Sequence, residues 1–159
     1  MTVVQESEFQ GITIPMDVRY KFATGAYLQK FLEGLREGEI YANRCSGCGR
    51  LQLPPREVCG RCHVEMGEYV QLGLTGYLLS WSLVSDPIYD PAIGDFRPGP
   101  YACASVVMDG GPDVALCHYL STTDISGLKV GLRMEVVFRP KKERQGLITD
   151  IACFKPIKE

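Results

Sequence analysis

Long apolar runs are missing from this chain. None approaches the roughly 18 consecutive apolar residues that cross a bilayer as a helix, and Met1 to Gln10 carries two Glu and no basic segment of the kind that opens a signal peptide. A cytoplasmic protein with no membrane partner is the expectation. Charge of one sign is missing too: the formal net charge is −2 over 159 residues and the pI is near 5.7. Such a balance has no overall attraction for phosphate backbones, so nucleic acid is an unfavoured partner. Histidine is scarce, with two residues in all. Neither a Gly-x-Gly-x-x-Gly turn after a strand, nor a phosphate-binding Gly-Lys-Ser or Gly-Lys-Thr, nor a Gly-x-Ser-x-Gly elbow occurs. The inventory for acid and base chemistry is thin. No catalytic residue is assigned, and the chain reads as a binder rather than an enzyme in its own right.

Cysteine, by contrast, is abundant. Seven are present, an odd number, and four of them fall in two knuckles with the spacing Cys45-x2-Cys48-x10-Cys59-x2-Cys62. An odd count without a secretory signal argues against a disulfide framework and for metal binding in a reducing compartment. Each knuckle turns two thiolates to one side, and two facing knuckles complete a tetrahedron around Zn²⁺. Rubredoxin-like iron satisfies the same four ligands. With every position taken by a thiolate, no site remains for an activated water, so the metal is expected to be structural. His63 follows the last ligand and is left outside a complete set. The segment from Ile40 to Tyr69 is poor in apolar side chains, and binding energy at the metal is expected to replace a core there.

Around this segment the texture changes. Met1 to Lys21 shows no clear periodicity and is expected to be an extended arm. From Gly25 to Glu37, Tyr27, Leu28, Phe31, Leu32 and Leu35 follow the spacing of one helical face, with Gly38 as the stop. After Tyr69 the runs Val70 to Val84, Tyr101 to Met108, Val114 to Ser121, Arg133 to Arg139 and Leu147 to Phe154 are rich in β-formers. Asp109-Gly110-Gly111-Pro112-Asp113 is a hairpin turn, and Gly73 and Gly76 predict a bend in one long first strand. The fold class expected is mainly β with one or two N-terminal helices: an arm and amphipathic docking helix over 1–39, a rubredoxin-like zinc ribbon over 40–69, and a five-stranded OB-fold barrel over 70–159. A short β-sandwich is the rival architecture. Ser85 to Pro100 is too long for a hairpin connection and, with its prolines, is the first place to look for binding.

Smaller signals divide between bland and sharp readings. Cys117-His118 has the composition of a nucleophile and base, with Asp113 or Asp124 to orient them, but neighbours on a strand face opposite ways. Cys103, Cys117 and Cys153 are expected to be small buried hydrophobes. Two basic groups, Arg44, Arg50, Arg56 and Arg61 around the ribbon and Arg139, Lys141, Lys142 and Arg144 near the last hairpin, are either solvated loop charge or phosphate contacts. Tyr89, Phe96 and Tyr101 either cover a bound acyl or ring group or anchor their loop.

The order of parts is itself distinctive. Phe31-Leu32-Glu33-Gly34-Leu35, then Arg44-Cys45-Ser46-Gly47-Cys48-Gly49-Arg50-Leu51-Gln52-Leu53-Pro54-Pro55-Arg56, then Cys59-Gly60-Arg61-Cys62, then Gly76-Tyr77-Leu78-Leu79-Ser80-Trp81-Ser82 resembles the acyl-CoA-associated zinc-ribbon and OB-fold family. Gly99-Pro100-Tyr101 and Gly131-Leu132-Arg133-Met134-Glu135-Val136-Val137-Phe138 extend the match. The resemblance implies a non-catalytic accessory subunit of a thiolase-superfamily enzyme, with structural zinc and a CoA thioester as ligand of the complex. The expected assembly is a hetero-oligomer, such as a heterotetramer, whose partner supplies the catalytic residues for carbon–carbon cleavage or formation. Benzylsuccinyl-CoA-type thiolases are a narrower group it is similar to. On this reading Tyr89, Phe96, Arg97 and Tyr101 are the candidate contacts to the CoA thioester. The alternative function is a zinc-ribbon and OB-fold module for single-stranded nucleic acid.

Overall fold

The computed structural model describes residues 23–90, 93–112 and 114–157. The expected N-terminal arm, Met1 to Lys21, lies outside them, as does Asp113 of the predicted turn. One helix, α1 (Gly25–Glu37), occupies the predicted span and buries Phe31, Gly34 and Leu35. It stops at Gly38, whose φ of +85° is open to a residue without Cβ, and the Gly38 and Glu39 N–H groups bond back to the Leu35 and Gly34 carbonyls. Gly34 has a packing reason: a Cβ there would come within 2.7 Å of the Tyr41 ring. The apolar side of α1 is therefore used within its own chain, against the strand that follows.

Three strands form the ribbon sheet: β1 (Ile40–Cys45), β2 (Leu51–Gln52) and β3 (Met66–Leu72), antiparallel in the order β2-β1-β3. Seven more follow, β4 (Thr75–Val84), β5 (Ile88–Asp90), β6 (Asp95–Arg97), β7 (Tyr101–Met108), β8 (Ala115–Tyr119), β9 (Arg133–Phe138) and β10 (Ile151–Pro156). Five of these make one sheet in the order β10-β9-β4-β7-β8, and a parallel bridge between Leu120 and Phe154 brings its two edges together. That closure makes a partly open OB-type barrel rather than a sandwich. Strand β7 shows the alternation that drives it, with Ala102, Ala104, Val106 and Met108 buried and the residues between them facing outward.

The expected single strand from Val70 to Val84 is in fact two. Residues through Leu72 pair with β1 in the ribbon sheet, Gly73 turns, and β4 begins at Thr75. The bend of β4 lies at a bulge between Leu78 and Ser80, while Gly76 lets the Val107 carbonyl approach where a Cβ would collide with it. The last strand also starts later than its β-forming residues suggest. The buried Asp150 carboxylate accepts the N–H groups of Gln145, Gly146 and Leu147 at 2.9, 2.7 and 3.2 Å, winding that segment into a turn, and β10 starts at Ile151. Ser85 to Pro100 is not irregular throughout, because β5 and β6 pair as a small hairpin within it.

One apolar core runs through the molecule. Phe31 and Leu35 of α1, Ile40 and Leu72 of the ribbon sheet, and Leu78, Met108, Met134 and Phe154 of the barrel belong to a single buried cluster. A separate small cluster, Cys45, Cys59 and Met66 with Tyr27 and Cys62 against it, lies at the knuckle end. Cys103 and Cys153 are half-buried and Cys117 is exposed, contrary to the buried role expected of them; the alternation of β7 and β8 turns Cys103 and Cys117 away from the barrel interior. Among the described residues no helix is long and apolar enough to cross a membrane.

Candidate metal centre

The two knuckles are built alike. In the first, the Cys45 N–H bonds to the Arg50 carbonyl and the Gly49 N–H to the Cys45 carbonyl; in the second, Cys59 N–H bonds to Val64 and His63 N–H to Cys59. Each turn needs a left-handed residue at the equivalent point. Gly49 supplies it at φ +73° and His63 at φ +56°. His63 is thus a turn residue in the place of a glycine, which explains why a histidine beside the last ligand is no ligand.

These turns aim N–H groups at sulfur. Cys45 Sγ accepts from Gly47 and Cys48 at 3.3 and 3.4 Å, and Cys59 Sγ accepts from Arg61 at 3.4 Å. The four Sγ atoms of Cys45, Cys48, Cys59 and Cys62 lie within 4.8 Å of one another. A tetrahedron with Zn–S bonds of about 2.3 Å has S–S edges of about 3.8 Å, and Cys48 and Cys59 stand 3.9 Å apart. The donor set therefore fits a structural Zn²⁺, with no ligand position left for substrate. The thiols do not hold their protons equally. N–H groups of Cys62 and Arg61 lower Cys59 to about 6, whereas the neighbouring Cys48 and burial push Cys62 up to about 12. A cation bound by all four must displace those protons, so affinity falls in acid.

Two residues that the spacing did not reveal steady this end. Asn43, fully buried on β1, donates to the Arg56 carbonyl at 2.7 Å and accepts from the Arg56 N–H at 3.3 Å, pinning the loop between the knuckles. Tyr27 of α1 bonds Glu65 and the Met66 carbonyl and so lays the helix start over the metal-side cluster.

Two family models match the chain in tandem. Residues 32–66 match the ChsH2 rubredoxin-like zinc ribbon domain, and residues 69–139 match the ChsH2 C-terminal OB-fold domain. A DUF35 domain-containing scaffold protein of Methanocaldococcus jannaschii is 30% identical over 118 residues, covering 72% of this chain and 79% of that protein. The chain belongs to the ChsH2/DUF35 family. Two solved structures share the ChsH2/DUF35 fold with it. One is described as the Ltp2-ChsH2(DUF35) aldolase, with TM-score 0.60 and 20% identity over 86% of this chain and 98% of that one. The other is a DUF35-family protein of unknown function from Sulfolobus solfataricus, with TM-score 0.57 and 23% identity over 84% and 87%.

The remaining candidate residues of this ChsH2/DUF35 chain separate into two groups. Tyr89 and Phe96 face each other across the β5–β6 hairpin, edge to face with centroids 5.8 Å apart, and are 55% and 61% exposed. Arg97 and Tyr101 lie at its base. The Arg97 Nε atom donates to Asp90 at 2.8 Å, and its guanidinium sits 4.3 Å from the Tyr119 ring centre and 5.9 Å from that of Tyr101. Tyr119 also donates to Asp90, so this stack fastens the hairpin to the outer face of the barrel. Much of the second basic group holds the molecule together: Lys141 pairs with Glu37, Arg139 bonds the Thr149 carbonyl, and Arg144 bonds the Arg139 carbonyl. Arg50 and Arg61 line a cleft of about 300 Å³ between the ribbon and the start of β8.

Proposed function

We propose that this chain is a non-catalytic accessory subunit of a thiolase-superfamily acyl-CoA enzyme. It stabilises a catalytic partner in a hetero-oligomer and helps frame the thioester for carbon–carbon bond cleavage or formation. The observation that carries the reading is the closed thiolate shell: the one metal-ligating cluster found among the described residues leaves no open coordination position. A relative described as a scaffold protein and a fold neighbour described as part of an aldolase support the same reading. Tyr89 and Phe96 offer apolar surface on a hairpin fastened at its base by Arg97, and an acyl-CoA in the assembled enzyme would meet that tip. Tyr101 would act through the same stack, holding the hairpin in place.

The test is co-production with the thiolase-like subunit encoded nearest to it. The expected result is a partner that is soluble and active only in the joint complex. Replacing Tyr89 and Phe96 together by Ser is expected to raise KM for the thioester several-fold with the complex intact. A partner fully soluble and active alone overturns the proposal.

A further inference from the structure

The two main sheets each bring an edge strand to the same cleft. Strand β2 is an edge of the ribbon sheet and β8 an edge of the barrel sheet. Leu51 and Gln52 of β2 line a cleft of about 300 Å³ together with Val114 and Ala115 at the start of β8. Hydrogen-bond alternation fixes which main-chain groups lie at those edges. The Cys45 N–H bonds to the Arg50 carbonyl, so Arg44 and Leu51 form a non-hydrogen-bonded pair, and the N–H and C=O of Leu51 turn away from β1. On the barrel side Met108 N–H bonds to Val114 and Leu120 N–H to Ala102, so Ala115, Cys117 and Tyr119 turn their main-chain groups away from β7. Strand β8 ends before the bridge of Leu120 to Phe154, and among the described residues no ladder covers its outer edge.

Two recesses of different chemistry lie along this one edge. The cleft at the start of β8 carries Arg50 and Arg61, both exposed, and among the described residues neither has an acidic partner. Arg97 and Arg133, by contrast, are paired with Asp90 and Asp109 at 2.7 and 2.6 Å. Toward the end of β8 a cavity of about 380 Å³ takes Cys103, Cys117, Tyr119 and Ile148 into its wall, and its arginine, Arg97, is the one already met by Asp90. Side chains alternate along the strand. Ala115, which borders the cleft, and Cys117 and Tyr119, which border the cavity, therefore point to one face of the sheet. The recesses stand two to four residues apart, roughly 7–14 Å at about 3.4 Å per residue.

We propose that the edge of β8 is a docking site for an extended segment of another polypeptide, one that carries a carboxylate side chain and, two or four residues away, an apolar one. Its main chain adds a strand along β8, its carboxylate takes the guanidinium groups of Arg50 and Arg61, and its apolar side chain enters the cavity at the far end. Main-chain pairing supplies affinity in such docking, and the recesses for alternate side chains supply selectivity. A phosphate offers acceptors to the arginines but leaves the edge carbonyls without a donor, whereas a peptide main chain brings both groups. A catalytic partner is one source of such a segment. The test below needs no such partner, so its failure and that of the accessory role are separate results.

The probe is the synthetic peptide acetyl-Phe-Ser-Val-Ser-Glu-Ser-Val-Ser-Phe-amide. Its central Glu has apolar side chains two and four residues away in both directions, so it suits either strand orientation. Titrated into the isotope-labelled, zinc-loaded full chain and followed by NMR, it is expected to shift the amides of Ala115 and Cys117 and the Nε–H signals of Arg50 and Arg61. It is expected to bind up to about tenfold more tightly than the same peptide with Gln at the centre, the ratio that a charge-assisted contact adds near a surface. Replacing both arginines, Arg50→Ser with Arg61→Ser, is expected to abolish that preference. If that variant fails to fold, Ala115→Pro removes an N–H at the edge and none of the bonds to β7, and is expected to weaken both peptides several-fold. Equal affinity for the two peptides, shifts that map away from β8, or no binding of either overturns the proposal. So does a response to inorganic phosphate alone with none to peptide, which marks a simple anion site. Movement of the same amides when the chain is concentrated by itself also overturns it, because a second copy then holds the edge.

Discussion

The knuckle end and the barrel solve the same problem with different materials. At the knuckles three buried residues, Cys45, Cys59 and Met66, form the whole apolar cluster, and N–H···S bonds with four converging thiols do the rest. The barrel closes over a continuous core from Leu78 to Phe154 that also takes in Phe31 and Leu35 of the helix. The knuckles depend on metal ligation by their thiols and the barrel on burial, so the knuckles are expected to fail under insults that leave the barrel standing.

The largest effect expected is on the metal side. Cys48→Ser removes one of four ligands where structural zinc supplies about 10–16 kcal/mol of folding energy. Zinc content measured by metal analysis should fall from about one equivalent to below half, with loss of ordered ribbon amides. Trp81, the chain's one tryptophan, packs against the barrel core and should report an unchanged environment. Simultaneous loss of its signal would show that the two regions are one cooperative unit.

The converse substitution is Phe154→Ala, at a fully buried position of the barrel. A loss of about 3–5 kcal/mol is expected by denaturant titration, with zinc retained. Smaller again is Asn43→Ala, which leaves the Arg56 carbonyl and N–H without their buried partner. It should cost about 1–3 kcal/mol and speed zinc exchange with a chelator while leaving the barrel amides protected.

The smallest effect concerns acid. Arg133 and Thr75 hold the Asp109 carboxyl down at about 2, below its ordinary value of 3.8. The stability this gives is fully present above the ordinary value and is lost as pH falls through about 2. Because the pair is about a third exposed, solvent screens it and the effect is expected to be small. Arg133→Ala should flatten that part of the barrel's pH–stability curve. Zinc should be released at a pH where the barrel still stands, since thiol protons compete directly with the metal.

Legibility in the sequence followed the same division. Covalent spacing confines Cys-x-x-Cys thiols so tightly that the metal ligands were readable without any tertiary information. The helix was readable too, since Phe31 and Leu35 recur at its period, but which surface would receive its apolar face was not. Long-range contacts were the hidden part. Val70 to Leu72 have the same β-forming character whether they extend a barrel strand or pair with Ile40 to Ala42, and only the turn at Gly73 and the register with β1 decide. Asn43 carries no local signature, because its role depends on the Arg56 backbone, thirteen residues on.

By itself the sequence determined the four-thiolate shell and the order of helix, ribbon and barrel, because each rests on local spacing, periodicity or composition. Tertiary structure alone decided that the helix face is spent internally and that Ser85 to Pro100 carries a hairpin fastened by Asp90, Arg97 and Tyr119. Those facts depend on which segments pack together, and packing selects among partners that local chemistry leaves equivalent.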